Sequence, residues 1–378
     1  METFLSLVGK KLNSERIYLP NNINHTLRFR KNERSFASLW FRTVGCRYSR
    51  AGGCTMCDYF ISKDVSEEDM YSFFLDAMKE LPEPPSLMVI MTSGSFFDPD
   101  EVPPDVRTKI YKYLSAKLPN TIFVFETHAF TINEEIINEC LQYFPPEQIQ
   151  VEIGVETSDE WIRKYCINKW ITNRELEKTI NMLNNKNIAT IANFVIGIPF
   201  LTLKENIISA TESIKWAIKN GAMKASLFPV NLKPFTLVHW MHQQGMYQQP
   251  PLWALIDVLS SVRSVFLPRI DINWYQKKAP LENPLYSASI QGPDSCDLCY
   301  NQVIAYLNKY FLGDINRKEI LDELNNVECE CRTNYKNSLQ NEIDTDLKTR
   351  VKNRYKEIGS LLFGRDFWAE ENKAYLDL

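Results

Sequence analysis

The strongest constraint on the fold is an alternation that begins near residue 37. Short β-rich apolar runs occupy 37–45, 86–92, 121–127, 149–157, 189–198 and 224–230. Each is followed by a stretch of helical apolar period: 66–81, 104–118, 133–144, 173–187, 203–220 and 252–266. Ser66 with Asp69 predicts a capped helix start, and Asn220-Gly221 predicts a helix stop. Consecutive strand–helix units predict an α/β fold with a parallel sheet, because parallel neighbours need crossover connections. Periodicity does not separate an open doubly wound sheet from a partial barrel. In both, ligands belong at the carboxyl ends of the strands.

The pattern changes beyond residue 245, where Pro250-Pro251, an irregular stretch 271–295 and a charged terminal segment replace it. The expected organisation is an N-terminal extension (1–35), an α/β core (36–245) and an appended C-terminal domain (246–378). A chain of 378 residues with 44% apolar and aromatic residues can bury a large core. The formal net charge of −4 argues against a protein that coats nucleic acid, while leaving room for a locally basic groove. No apolar run approaches the length of a membrane span, so no membrane partner and a cytoplasmic setting are expected.

In a reducing compartment the nine cysteines read first as metal ligands or buried thiols. Cys140 and Cys166 stand alone and read as small core residues. Cys46, Cys54 and Cys57 lie together in "GCRYSRAGGCTMC", at the end of the first predicted strand. A structural zinc site needs four protein ligands, and neither histidine nor a fourth cysteine is near. An iron–sulfur cube held by three cysteines leaves one iron open to a further ligand. Gly45, Gly52 and Gly53 allow the backbone to wrap closely around such a centre. Cys296, Cys299, Cys329 and Cys331 form a second group of four thiols, enough for a structural zinc or an auxiliary cluster.

The three-cysteine loop after the first strand resembles the radical S-adenosylmethionine (SAM) superfamily. The resemblance implies a partial (β/α)6 TIM-type barrel, with the cysteine-containing C-terminal domain appended. It also implies a [4Fe-4S] cluster whose open iron chelates SAM, and one-electron cleavage of SAM to a 5′-deoxyadenosyl radical. The seven-residue first spacing is similar to the branch containing the Elongator catalytic subunit and the tRNA methylthiotransferases. Met56 matches an apolar position beside the last cysteine. In "TSGSFFDP" (92–99), Ser93, Gly94 and Ser95 match a segment that meets the SAM amino group. Glu126 in "FETHAF" and Glu156 in "EIGVETSDEWIRKYCINKW" match carboxylates that meet the SAM ribose or amino group. Lys169 matches a basic position facing the SAM carboxylate, and Asn193 in "NFVIGIPFLTLKENI" matches the adenine-binding segment. No catalytic side chain is assigned beyond the cluster.

More narrowly, "FRTVGCRYSRAGGCTMCDYF", "FPVNLKPFTLVHWMHQQGMYQQPPLW" and "GPDSCDLC" with "CEC" resemble the archaeosine synthase radical SAM subunit family. That resemblance implies a lyase step on lysine-modified 7-deazaguanine in tRNA, a tRNA-modifying partner enzyme, and flavodoxin or ferredoxin as one-electron donor. A radical SAM enzyme of small-molecule or peptide natural-product biosynthesis would share the same core motifs. A non-catalytic metal-binding scaffold would keep the cysteines without SAM cleavage. His239 and His242 share a helix face but lack further ligands nearby. The basic runs 27–34 and 347–359 offer phosphate contacts or solvated faces.

Overall fold

The computed structural model describes residues 2–14, 24–31, 34–58, 65–277, 291–313, 316–342 and 345–378. Part of the irregular stretch (278–290) and two residues of the first basic run (32–33) lie outside the described residues. Eight strands form one sheet in sequence order: β1 (His25–Lys31), β2 (Ser35–Phe41), β3 (Leu87–Met91), β4 (Ile122–Thr127), β5 (Ile149–Glu156), β6 (Ala189–Ile196), β7 (Lys224–Pro229) and β8 (Ile270–Ile272). Strands β2 to β8 run parallel, and β1 pairs antiparallel with β2. Since β1 and β8 are the sheet's two ends, the architecture is a partial TIM-type barrel.

The six expected strands correspond to β2 to β7; β2 starts two residues earlier and ends four earlier than expected, and the others are trimmed by one or two residues. Two further strands close the series. β1 carries "HTLRFRK", an edge strand with no fully buried residue, so its charges hide it from an apolar pattern. β8 is three residues long, too short for periodicity.

The described α-helices are α1 (Phe4–Ser14), α2 (Arg47–Arg50), α3 (Glu67–Lys79), α4 (Pro104–Lys117), α5 (Glu134–Leu141), α6 (Glu160–Ile162), α7 (Asn173–Asn185), α8 (Leu203–Lys219), α9 (Leu237–Gln243), α10 (Leu252–Ser260), α11 (Tyr300–Leu312), α12 (Arg317–Asn326), α13 (Glu330–Gln340) and α14 (Leu347–Phe363). Local chemistry sets the starts of the crossover helices. Ser66 accepts the Asp69 N–H, Thr172 and Glu175 form a capping box on α7, and Thr202 and Glu205 do the same on α8. These starts follow the strand ends, so the candidate site residues collect at the carboxyl edge of the sheet.

A large apolar core fills the space between sheet and crossover helices; Trp253, Tyr111 and Tyr310 are its bulkiest fully buried members. A second, smaller core joins α1 and α14 to the loops after β5, β6 and β7. In it Phe4 lies 4.5 Å from the Tyr355 ring and 5.3 Å from Trp368. Between β5 and α7, the buried Arg163 guanidinium donates to the Val155, Thr157 and Ile171 carbonyls and to Asn173 Oδ1. This fixes the connection that carries Lys169. The chain contains no described helix long and apolar enough to cross a membrane.

Candidate active site and distal metal centre

The three-cysteine loop is shaped by backbone conformations that favour glycine. Gly45, Gly52 and Gly53 have φ of 94°, 112° and 78°. The Gly53 and Ala51 N–H groups both donate to the Tyr48 carbonyl, folding the loop back on the short helix α2. Cys46 caps that helix and is 6% exposed. Burial pushes its thiol up to about 12, with Glu101 and Cys57 adding repulsion. Burial also raises Cys54, where Lys169 opposes and Cys57, Glu156 and Cys46 reinforce the shift. The three sulfurs thus lie within electrostatic reach of one another. As free thiols Cys46 and Cys54 are held uncharged; a cationic metal centre would reverse that by stabilising the thiolates.

Three elements hold the loop from behind. Thr55 donates its N–H to Ile167 O at 3.0 Å and its hydroxyl to Cys166 O at 2.9 Å. Asn168 donates to Gly53 O at 2.8 Å and accepts from Thr3. Helix α1 presses directly on the loop: a Cβ at Gly9 would stand 1.8 Å from Gly52 O, and one at Gly52 would stand 2.4 Å from Ser6 O. Nothing in the sequence pattern signals this clamp, because it joins residues more than forty positions apart.

The segment after β3 approaches Cys46 equally closely. A Cβ at Gly94 would fall 2.6 Å from Cys46 Cβ and 2.8 Å from Glu101 Oε2. Glu101 is fully buried, accepts the Gly94 and Ser95 N–H groups and the Thr43 hydroxyl, and is raised in pKa by burial. It is the organiser of this corner, yet "DPDEVPP" reads as an ordinary acidic loop. Ser93 and Ser95 are both buried, at 7% and 0% exposure. The Ser95 hydroxyl is shared with Thr127 and Thr131 and accepts the His128 N–H.

The strand ends bring three carboxylates and one ammonium together. Glu126 on β4 is the register partner of Glu152 on β5. Burial, followed by repulsion from Glu152 and Glu156, pushes Glu126 up to about 8. Burial raises Glu152 too, opposed by the Asn193 side chain that bonds it. Glu156 ends β5 at a register shift, with a left-handed φ of 67°. Its carboxylate pairs with Lys169 Nζ at 2.9 Å, and the same ammonium donates to Gly154 O at 2.8 Å. Lys169 is 3% exposed, so it is an interior cation. A Cβ at Gly154 would sit 2.7 Å from Glu156 Oε1, which explains the glycine. Asn193 on β6 is 8% exposed and leaves Oδ1 buried without a hydrogen-bond partner. Met56 packs against the smaller core, its sulfur 3.9 Å from the Thr55 hydroxyl.

His128 stands between these groups, with Nε2 3.3 Å from Cys46 Sγ and a buried, unpartnered Nδ1. Burial holds its pKa well below the ordinary histidine value, so the ring is neutral. Arg47 is committed to Asp98 and Asp100 at 2.6–2.9 Å. His242 Nδ1 meets Tyr247 O, and His239 is lowered in pKa first by burial and then by His242; the pair joins no metal-ligand group among the described residues.

Against this geometry, residues 40–209 match the Radical SAM superfamily. The matched stretch runs from the end of β2 through the cysteine loop and β3 to β6 into α8. The archaeosine synthase subunit beta of Methanosarcina acetivorans is 29% identical over 307 residues, covering 79% of this chain and 84% of that protein. The archaeosine synthase subunit beta of Thermococcus kodakarensis is 26% identical over 313 residues, covering 79% and 90%. Among solved structures, the Methanocaldococcus infernus Elp3 with an N-terminal deletion aligns at TM-score 0.44 and 14% identity, covering 64% of this chain and 58% of that chain.

A radical SAM domain implies a [4Fe-4S] cluster and SAM, and the residues fit both. Gly94 gives the first cysteine its space. The carboxylates outnumber the single lysine, which suits a ligand carrying a sulfonium and an ammonium alongside one carboxylate. Asn193 Oδ1 and His128 Nδ1 are buried near the strand ends without hydrogen-bond partners.

The distal thiols behave differently. Cys296, Cys299, Cys329 and Cys331 have all four sulfurs within 4.8 Å of one another, and among the described residues no other group of three or more ligands does. Neighbouring sulfurs are 3.3–3.7 Å apart. Four thiolates around one zinc, at Zn–S of about 2.3 Å, would be roughly 3.8 Å apart. A cube spreads its thiolates over different irons, so the spacing suits one tetrahedral ion. Trp253 Nε1 donates to Cys331 Sγ at 3.3 Å, tying this centre to α10.

Proposed function

We propose that Cys46, Cys54 and Cys57 hold the [4Fe-4S] cluster and that this chain carries out reductive SAM cleavage. The observation that carries the reading is the three-cysteine loop, with Cys46 buried and Cys54 within electrostatic reach of Lys169 and Glu156, at the strand ends that also carry Glu126 and the unpartnered Asn193 oxygen. When bound, the cluster supplies the electron that breaks a carbon–sulfur bond of SAM. Lys169 meets the SAM carboxylate, Glu126 and Glu156 meet its ammonium and ribose, and Asn193 orients the adenine. Ser93, Gly94 and Ser95 shape the amino-group side, and Met56 excludes water from the loop.

The substrate is lysine-modified 7-deazaguanine in tRNA, and the reaction is a lyase step that releases the lysine-derived side chain and leaves an amidine. The two archaeosine synthase relatives, each aligned over 79% of this chain, support this choice. Their description as a subunit supports a tRNA-modifying partner enzyme, and a flavodoxin or ferredoxin would deliver the electron. In this reading the C-terminal portion, 246–378, holds a single structural ion, with zinc the best fit to the sulfur spacing. The test is anaerobic incubation of reconstituted enzyme with SAM, reductant and tRNA bearing the lysine adduct, followed by nucleoside mass spectrometry. Conversion of the adduct to the amidine is expected. Deoxyadenosine formation with an unchanged adduct would overturn the substrate while leaving the SAM chemistry standing.

A further inference from the structure

We propose that the outward face of α14, continued by Lys164 and Trp170, is the surface that receives the phosphate backbone of the RNA substrate. This rests on the RNA reading of the substrate above.

Helix α14 lies across the carboxyl edge of the sheet. Arg350 donates to Phe200 O at 2.8 Å and pairs with Glu205, fixing the helix to the turn after β6. Tyr355 donates to Tyr165 O, fixing it to the connection after β5 that carries Lys169. Val351, Tyr355 and Ile358 point inward and are buried. The helix carries five basic residues and one acid, within a chain of net charge −4. Arg350 is spent on Glu205, and Arg354 on Glu357 at 2.6 Å. Lys348, Lys352 and Lys356 are exposed at four-residue spacing, which places them on one stripe of the helix. Among the described residues, none of these three forms an ion pair with an acid.

Aromatic rings connect the stripe to the segment that carries Lys169. Lys348 Nζ lies 5.8 Å from the Trp161 ring, which packs 5.2 Å from Tyr165. Lys164 Nζ lies 4.7 Å from Tyr165 and 4.3 Å from Trp170. Trp170 is 49% exposed and adjacent in sequence to Lys169, the interior cation of the site. An exposed indole beside one cation and next in sequence to the interior Lys169 is suited to stacking an unpaired base, as in recognition of RNA loops. In the other basic run, Arg30 lies over the Phe36 and Phe311 rings and Lys31 pairs with Glu83 at 2.7 Å. The overall acidity of the chain is compatible with a phosphate-binding face, because three lysines outside any ion pair with an acid among the described residues share one stripe of α14.

The test is equilibrium binding of the full chain to a tRNA transcript across a salt series, for wild type, K348Q/K352Q/K356Q and W170A. Each lost phosphate contact lowers the slope of log affinity against log salt by about 0.7–0.9, so the triple variant should lose roughly 2–3 from that slope. W170A should bind roughly 5- to 150-fold more weakly with little change in slope, as expected for one lost base stack. Cleavage of SAM without RNA should be the same in the triple variant as in wild type, which shows that it is folded. A triple variant with the wild-type slope would overturn the α14 face. Wild type that binds no tRNA at low salt would overturn the RNA reading itself, a separate result.

Discussion

Replacing Lys169 by methionine keeps much of the side-chain volume and deletes one interior charge. Burial works against that ammonium, yet the Glu156 carboxylate, the Cys54 thiol and Tyr48 together hold its pKa above the ordinary lysine value. The ammonium makes two short contacts, to Gly154 O at 2.8 Å and Glu156 Oε1 at 2.9 Å. The side chains of Lys169 and Glu156 are only 3% and 17% exposed, so solvent cannot take over the role of the missing partner. Breaking a buried pair in this way costs about 3–5 kcal/mol, mostly from the carboxylate left behind. E156Q removes the stranded charge, so the double variant K169M/E156Q should be more stable than the sum of the two single losses by about 1–3 kcal/mol. Chemical denaturation of the anaerobically prepared apo-protein, wild type and three variants in parallel, measures this coupling. A K169M loss below about 1 kcal/mol, or strict additivity in the double variant, would refute the interior-pair reasoning.

Three further outcomes follow from the site. Glu126 is raised from 4.5 to about 8, so its protonated form favours the folded apo-protein; that contribution is complete below pH 4.5 and is lost as pH rises through 8. Denaturation of E126Q should lack this decline relative to wild type, and parallel pH profiles would contradict it. In G94A the new methyl would collide with Cys46, so iron per chain after reconstitution should fall severalfold while the distal metal stays. Unchanged iron content would show that the segment after β3 can withdraw freely. The variant C299S/C331S should lose one zinc per chain and keep about four irons, measured by elemental analysis; loss of about four irons would instead make the distal centre a cube.

Much of this architecture is legible in the sequence because it is local. Strands β2 to β7 and their crossover helices follow from period and caps, and the cysteine loop sits where the first parallel strand ends. The features that escape are those made by distant residues meeting. β1 is charged and lies at the edge, and β8 is three residues long. The clamp of α1 on the cysteine loop depends on Gly9 and Gly52, two glycines whose need is visible only once the backbones touch. Glu101 and Glu152 carry no motif of their own: one is buried by the return of the segment after β3, the other by its register against Glu126. The distal cysteines read as a group in the sequence, but the approach of all four sulfurs to within 4.8 Å depends on how α11 and α13 pack.

The most direct test of the central claim is quantification of 5′-deoxyadenosine after anaerobic reconstitution, reduction and addition of SAM, comparing wild type with C46A/C54A/C57A. The account predicts deoxyadenosine from wild type and none above background from the triple variant, with the distal metal retained in both. Equal deoxyadenosine from the two proteins, or none from a wild type that holds about four irons, would contradict it.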